Sequence, residues 1–213
     1  MNESVLVSYL GHASFALEWR GYRLVLDPYA DGSVPGLARL RETADAVYCS
    51  HEHRDHGAVK NVKRRKTSPP EGFAVEELAT EHDPCGGALR GKNTVRVFRF
   101  GTLRCAHLGD LGRPLSEAEA ARLQDLDLLL LPVGGYYTID AAQARDILTA
   151  LRPRVAVAMH YRTDCSGYDE IAHLDEVLHI LGPAERIGET LLLSRDTAPG
   201  LYVMRAKNEK ERD

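Results

Sequence analysis

Short runs of apolar residues, most of them alternating with polar ones, dominate the first half of the chain and predict β-strands. The first three runs are separated by short turns and predict a β-meander, and a later pair predicts a hairpin turned at Gly101-Thr102. A helical turn is predicted over residues 37–43 and a short helix after Gly57. The predicted strands of this half cover residues 5–10, 14–19, 22–26, 45–49, 73–80, 94–100 and 103–108.

The second half alternates helical and strand patterns instead. Ser116 and Asp140 are each followed three residues later by Glu or Gln, the spacing of a helix-starting capping box. The predicted helices cover residues 116–124, 140–151 and 171–181, and the predicted strands cover 127–131, 154–159, 189–194 and 201–205. This order predicts one layered α/β domain over residues 1–206. The nearly all-charged residues 207–213 are predicted to form a disordered tail.

The densest chemistry of the chain follows the predicted strand at 45–49, where His51, His53, Asp55 and His56 lie within six residues. Imidazole and carboxylate are the ligand types that zinc and similar divalent ions prefer. Alternate side chains of an extended segment share a face, so His51 and His53 can converge on one ion. Asp55 and His56 lie beyond the strand end and can turn towards a second ion. A polar turn that is rich in histidine by chance is the plain alternative, but unsatisfied ionisable groups packed this densely are costly.

Three further predicted strands end in a side chain that could bind metal, namely His82, Asp110 and His160. Each is a weak signal alone, because a histidine after a strand is more often a hydrogen-bonded turn residue. The carboxyl ends of strands in open α/β sheets are nevertheless where ligands gather. The combined set predicts two ions, the first held by His51, His53 and His82, the second by Asp55, His56 and His160, with Asp110 bridging both and with Asp55 and Asp110 as catalytic residues.

The order His-x-His-x-Asp-His, a single histidine, Gly-Asp and a later histidine resembles the metallo-β-lactamase superfamily. More narrowly, the segments 10–15, 26–28, 131–135 and 159–161 resemble the compact bacterial metal-dependent hydrolases related to ascorbate-6-phosphate lactonases. The resemblance extends over about residues 4–205. It implies a four-layer αββα sandwich with a dinuclear site at one edge, between the two sheets.

The third ligand of the first ion has two candidates. His107 is close to Asp110 in sequence, but it lies within a predicted strand, whereas His82 lies in a loop at a strand end. The superfamily pattern also places a ligand histidine well upstream of the Gly-Asp pair. Both observations favour His82 and leave His107 as a residue of the core or of the surroundings of the site.

Further residues are predicted near the metal ions. Asp27 precedes a proline at the same sheet end and is expected to anchor the metal-binding loop by hydrogen bonds. His12 either orients a ligand and lines the pocket or simply packs in a turn. Tyr136, Tyr137 and Tyr161 either contact the substrate or belong to ordinary packing.

Composition narrows the possible partners of the protein. The 213 residues are 44% hydrophobic and 27% charged, with a formal net charge of −4, so nothing pulls the whole chain towards nucleic acid or an anionic membrane. The sequence has no signal-peptide pattern and no apolar run of the roughly 18 residues that a membrane span needs, which predicts a cytoplasmic protein without membrane contact. The basic run at 60–66 fits a solvated loop better than a phosphate-binding patch.

Two divalent ions about 3.5–4 Å apart can share one water and lower its pKa towards roughly 7. We therefore expect a dinuclear hydrolase that acts on a phosphoester, lactone or other ester of a small molecule. Zinc is the expected metal, with manganese, nickel and iron as alternatives. The alternatives in function are a small nuclease or cyclic-nucleotide phosphodiesterase that uses residues 63–66, and a non-catalytic metal-binding or sensor protein. Homo-oligomerisation is left open.

Overall fold

A computed structural model describes residues 3–210 of the chain. The strands in these residues are β1 (Ser4–Gly11), β2 (Ser14–Trp19), β3 (Tyr22–Leu26), β4 (Glu42–Ala44), β5 (Ala46–Tyr48), β6 (Val62–Arg64), β7 (Phe73–Glu81), β8 (Lys92–Phe100), β9 (Leu103–His107), β10 (Leu128–Pro132), β11 (Val155–Met159), β12 (Glu185–Ile187), β13 (Thr190–Ser194) and β14 (Gly200–Met204). The helices are α1 (Glu117–Arg122), α2 (Ala141–Leu151) and α3 (Leu174–Leu181), and Val59–Asn61 forms a short 3-10 helix.

Two large sheets face each other. One has five strands in the order β13-β1-β2-β3-β5, and the other has seven in the order β12-β14-β11-β10-β9-β8-β7. In the second sheet β9, β10, β11, β14 and β12 run parallel, so their carboxyl ends reach the same edge. The two-sheet sandwich predicted from the sequence is confirmed.

The core between the sheets follows directly from strand alternation. Phe15, Leu17 and Trp19 occupy every second position of β2 and all point into the space between the sheets. The intervening Ala16 faces the opposite way, into a separate apolar cluster. Trp19 packs against Phe100 of the facing sheet, with ring centroids 6.0 Å apart. The alternation of side chains along a strand therefore decides which of them enter the core between the sheets.

The three α-helices pack on the outer face of the seven-stranded sheet. The buried side chains of α2 are Ala141, Ala144, Ile147 and Leu151, a helical stripe that joins the apolar cluster under the helices. The predicted capping boxes open α1 and α2, with both reciprocal hydrogen bonds present. No helix of the described residues is long and apolar enough to cross a membrane.

The outer face of the five-stranded sheet is covered differently. The helical turn predicted at residues 37–43 is wrong, since this segment is extended and ends in β4, which pairs with β6. The extended path lets Leu37, Leu40 and Ala44 all reach the cluster on that face. Turns and the small β4–β6 sheet thus form the fourth layer within residues 3–210, where the expected sandwich has helices. β6 lies inside the basic run predicted as a loop, and β12 was not predicted.

The start of the predicted disordered tail is bound to the rest of the molecule. Glu209 accepts hydrogen bonds of 2.6 Å from the hydroxyls of both Thr163 and Ser166. The backbone N–H groups of Lys207 and Lys210 donate to Tyr9 O and Gly36 O, both at 2.9 Å, and Asn208 O accepts from the backbone N–H of Ala38 at 2.7 Å. These hydrogen bonds hold residues 207–210 against the folded domain. Residues 211–213 lie outside the described part of the chain.

Candidate metal centre

Four of the predicted ligand histidines surround one carboxylate oxygen of Asp110 at the edge of the sandwich. Oδ2 of Asp110 lies 3.1 Å from Nε2 of His56, 3.3 Å from Nε2 of His82, 3.4 Å from Nε2 of His160 and 3.8 Å from Nε2 of His51. Asp110 and His160 follow the parallel strands β9 and β11, and His82 follows β7 of the same sheet. His51 and His56 come from the loop after β5 in the opposite sheet. The site therefore bridges the two sheets.

The ligand atoms fall into three overlapping groups, each within 4.8 Å of one another. The groups are His51, His53 and His82; His12, Asp55, His56 and His160; and His51, His56 and Asp110. The first two contain the sets predicted for the two ions, and the third contains the predicted bridging residue. His12 joins the second group because its Nε2 lies 3.3 Å from Oδ2 of Asp55.

Several buried polar atoms of this cluster have no hydrogen-bond partner among the described residues. They include Nε2 of His51, His56 and His160, and Oδ1 of Asp110. Buried polar atoms are almost always paired, because leaving one unpaired costs about 1–3 kcal/mol. A bound cation would satisfy these nitrogen and oxygen atoms, because each can direct a lone pair at it. The residues present therefore fit divalent metal ions.

Asp27 holds the metal-binding loop from below. Its carboxylate accepts hydrogen bonds from the backbone N–H and the hydroxyl of Ser50, at 2.6 and 2.5 Å, and lies 2.8 Å from Nδ1 of His56. The Ser50 hydroxyl is in turn 2.9 Å from Nδ1 of His51. Engaging Nδ1 in this way turns Nε2 of both histidines towards the centre, an arrangement common around metal ligands.

Asn93, which sequence reasoning missed, positions Asp110. Its amide nitrogen donates to Leu108 O at 2.9 Å, and its amide oxygen accepts from the backbone N–H of Asp110 at 2.9 Å. The side chain of Asn93 is 1% exposed. Gly109 has φ 56°, and a Cβ there would overlap Asn93 and Ser50. Its side-chain amide, the only one in β8, was the sole signal in the sequence.

We expect Gly109→Ala to lower the free energy of unfolding by about 2 kcal/mol or more, since a left-handed backbone and a steric overlap both oppose the methyl group. Urea denaturation followed by circular dichroism measures the change. Gly188→Ala is the matched control, because Gly188 has no neighbour within 4 Å and no positive φ. Equal stability of the two variants would contradict this account.

Left-handed backbone conformations also concentrate at the site. His12, Asp27, Tyr136 and His160 are non-glycine residues with φ between 43° and 60°. Each such conformation costs about 1–3 kcal/mol and persists only where surrounding contacts enforce it. The backbone N–H of His160 donates to His12 O at 2.9 Å, which ties two of these residues together. Strain of this kind is typical of functional sites.

Burial favours the neutral, metal-binding form of three histidines of the cluster, His12, His51 and His82. Burial, followed by the neighbouring His56, lowers the pKa of His51 to about 3. Burial, followed by His160, lowers the pKa of His12 to about 4. Burial also lowers the pKa of His82.

Asp55, in contrast, is held in its charged form, and so is His56. Burial opposes ionisation of Asp55, but hydrogen bonds from His12 and His56 outweigh it and hold its pKa well below the usual range. Burial likewise disfavours the charged form of His56, but Asp110 and the other nearby carboxylates raise its pKa well above the usual value. A cation at Nε2 of His56 would take the place of that proton and satisfy the same carboxylates.

Two predicted neighbours lie away from the cluster. Nε2 of His107 is 2.9 Å from Ala13 O, and its Nδ1 accepts from the backbone N–H of Gly109 at 3.0 Å, so both ring nitrogens are engaged elsewhere. Tyr161 is buried in the apolar cluster under the helices, where its hydroxyl donates to Met204 O at 3.4 Å. His82, not His107, belongs to one of the candidate ligand groups.

A pocket of about 180 Å³ opens onto the ligand groups. Its lining residues are His53, Asp55, His82, Arg90, Asp110, Tyr137 and Tyr168. Tyr136 is 62% exposed beside it, with its ring centroid 4.7 Å from that of Tyr137. Sequence reasoning missed Arg90 and Tyr168, because both lie in loops without a local motif and reach the pocket only through the fold.

Comparisons with known proteins agree with this geometry. Residues 6–160 match the family model of the β-lactamase superfamily domain. A UPF0173 metal-dependent hydrolase of Carboxydothermus hydrogenoformans is 27% identical over 85% of this chain and 98% of its own length. A UPF0173 protein of Pyrococcus furiosus is 30% identical over 74% of this chain and 83% of its own length.

A solved structure from Thermotoga maritima is also similar. This candidate Zn-dependent hydrolase of the metallo-β-lactamase superfamily has a TM-score of 0.72 and 31% identity, covering 94% of this chain and 98% of its own. The matched family model spans the strands and loops that carry every predicted ligand, from His51 to His160. The chain therefore belongs to the β-lactamase superfamily, among its metal-dependent hydrolases.

Proposed function

We propose that this protein is a dinuclear hydrolase that cleaves an ester bond of a small molecule, with a water-derived hydroxide as the nucleophile. The observation that carries the proposal is the position of Asp110, whose Oδ2 lies within 3.8 Å of histidine nitrogens from both ligand groups. The first ion would be held by His51, His53 and His82 and the second by Asp55, His56 and His160, with Asp110 shared. Bound divalent ions supply a nucleophile at neutral pH by lowering the pKa of water to about 7.

The protein's own residues orient the reaction. Asp55 stays ionised between His12 and His56, so its free lone pairs can accept a hydrogen bond from the attacking water and direct it at the substrate. Burial and the charge of Asp55 raise the pKa of Tyr168, whose hydroxyl donates to Ser33 O at 2.7 Å. No serine or cysteine nucleophile is needed. A histidine-rich ligand set favours zinc, with manganese, nickel or iron as alternatives.

The substrate is a phosphoester, a lactone or another ester, and the kinship with ascorbate-6-phosphate lactonases stays a prediction. The nuclease alternative gains nothing from the basic run at 63–66. Arg64 donates to Asp45 O at 3.0 Å, and Arg65 pairs with the Asp45 carboxylate, so two of its four cations are used inside the fold.

Metal analysis of purified protein, combined with assays on phosphodiesters, lactones and simple esters, tests the proposal. We expect two ions per chain, and we expect chelation to abolish activity and added zinc to restore it. His51→Ala should lose both metal and activity, whereas His179→Ala, on the exposed side of α3, should lose neither. Fewer than one ion per chain, with His51→Ala equal to wild type, would refute a metal centre. Bound metal without turnover on any ester would instead support the non-catalytic alternative.

A further inference from the structure

The substrate pocket contains a second recognition element besides the metal ligands. We infer that Arg90 forms an anion-binding subsite, so that the substrate of this hydrolase carries a phosphate or carboxylate group in addition to the bond that is cleaved. The inference rests on the proposed function in one respect, namely that the pocket in front of the ligand groups receives the substrate.

The loop that carries Arg90 is fixed by a single buried carboxylate. Asp83 directly follows the metal-binding His82 and has no exposed surface. Its two oxygens accept four backbone N–H bonds of 2.7 to 3.0 Å, from Cys85, Gly87, Leu89 and Arg90. The bond to the Arg90 amide is the shortest of the four. The backbone of Arg90 is therefore held in a defined position relative to the metal-binding histidine.

Within residues 3–210, the guanidinium group of Arg90 contacts two aromatic rings and no carboxylate. Its Cζ lies 5.5 Å from the ring centroid of Tyr137 and 5.8 Å from that of Tyr136. Across residues 3–210 no carboxylate oxygen pairs with it, in contrast to Arg113, which pairs with both Glu81 and Glu119. Contact with aromatic rings supports the planar group while leaving its N–H donors available for a ligand.

The surroundings of Arg90 suit a small anion. Tyr137 and Tyr168 line the same pocket, although the Tyr168 hydroxyl already donates to Ser33 O at 2.7 Å. The charge of two divalent ions would exceed the negative charge of Asp55 and Asp110. With the ions bound, Arg90 would therefore add to a pocket of net positive charge. A volume of about 180 Å³ lies below the ~300–1,000 Å³ of typical drug-sized sites, which restricts the ligand to a small molecule. The planar guanidinium group of arginine can donate two parallel hydrogen bonds to a phosphate or a carboxylate.

The test uses metal-loaded wild type, Arg90→Gln, Arg90→Lys and the control Arg145→Gln, which removes an exposed arginine of α2. Calorimetric titration with inorganic phosphate and, separately, with succinate gives the dissociation constants. We expect Arg90→Gln to raise the dissociation constant of at least one anion tenfold or more, about 1.4 kcal/mol. The dissociation constant of Arg90→Lys should lie between those of wild type and Arg90→Gln, because lysine keeps the charge but loses the paired N–H donors of the guanidinium group. The dissociation constant of Arg145→Gln should stay within twofold of wild type. The anion that responds identifies the group recognised.

Unchanged dissociation constants for both anions in Arg90→Gln, at wild-type metal content, would overturn the inference, as would the absence of anion binding by wild type. A kinetic arm compares a neutral ester with an ester that carries a free carboxylate or phosphate. Arg90→Gln should raise KM for the anionic ester only, and an equal loss on both esters would count against the subsite. If wild type cleaves no ester while anion binding still depends on Arg90, the proposed function fails and the subsite stands.

Discussion

Asp110→Asn is expected to lower kcat/KM by about a thousandfold, or about 4 kcal/mol, and to leave less than one tightly bound ion per chain. Asp110 is the only described residue whose carboxylate lies within 4 Å of histidines from both ligand groups. An amide keeps the size of the side chain but removes the charge and one of the two acceptor oxygens. Metal content by mass spectrometry and steady-state kinetics on the best ester substrate measure the effect.

Asp146→Asn is a suitable control for this variant, because it removes the same charge from the exposed side of α2. It should keep both ions and wild-type kinetics. Retention of two ions and full activity by Asp110→Asn would contradict the proposed shared role of the Asp110 carboxylate. Since Asp110 is fully enclosed, circular dichroism is needed to show that both variants are folded.

Asp27→Asn is expected to weaken metal binding by about 10–100-fold without removing any ligand, which is the usual effect of losing a buried partner of a ligating histidine. The asparagine tolerates the left-handed backbone of position 27, so the change tests the charge and not the conformation. In the asparagine variant an NH₂ group replaces one carboxylate oxygen, and this group cannot accept the hydrogen bond from Nδ1 of His56 that Oδ2 of Asp27 accepts. Titration with zinc in a competing chelator buffer gives the affinity.

Asp127→Asn provides a matched control for Asp27→Asn. Asp127 is another buried carboxylate, but it precedes β10 at the other end of the sheet, where it accepts from the backbone N–H of Arg104 at 2.9 Å. We expect Asp127→Asn to lower stability while leaving zinc affinity unchanged. Equal losses of zinc affinity in both variants would show that Asp27 acts through general stability and not by orienting His56.

Local sequence patterns determined much of this protein. Alternation along β2 placed Phe15, Leu17 and Trp19 in the core, and the capping boxes marked the starts of α1 and α2. The dense histidine cluster after β5 and the polar residues that end later strands indicated metal binding. These features depend on side chains within a few positions of each other, or on the general rule that parallel strands end together. Both kinds of information can be obtained without knowing the fold.

The choice between His82 and His107 illustrates what tertiary structure decided. Their positions relative to the strands favour His82, and the fold adds that Nε2 of His107 faces the carbonyl of Ala13, 94 positions earlier in the chain, while Nε2 of His82 lies 3.3 Å from Oδ2 of Asp110. The extended course of residues 37–43 was likewise set by the apolar face that it covers, not by its own propensity.

The supports of the site were decided in the same way. Asn93 and Arg90 contact groups that other strands and loops bring to them, so no short-range pattern marks them. Asp27 could be predicted, because it precedes a proline at a strand end. Sequence alone therefore determined the ligand types and the strand ends that carry them. The packing of the two sheets against each other decided the rest: which histidine nitrogens converge, which carboxylates hold them and which cation faces the pocket. Those contacts join residues that are distant along the chain, so only the tertiary structure could decide them.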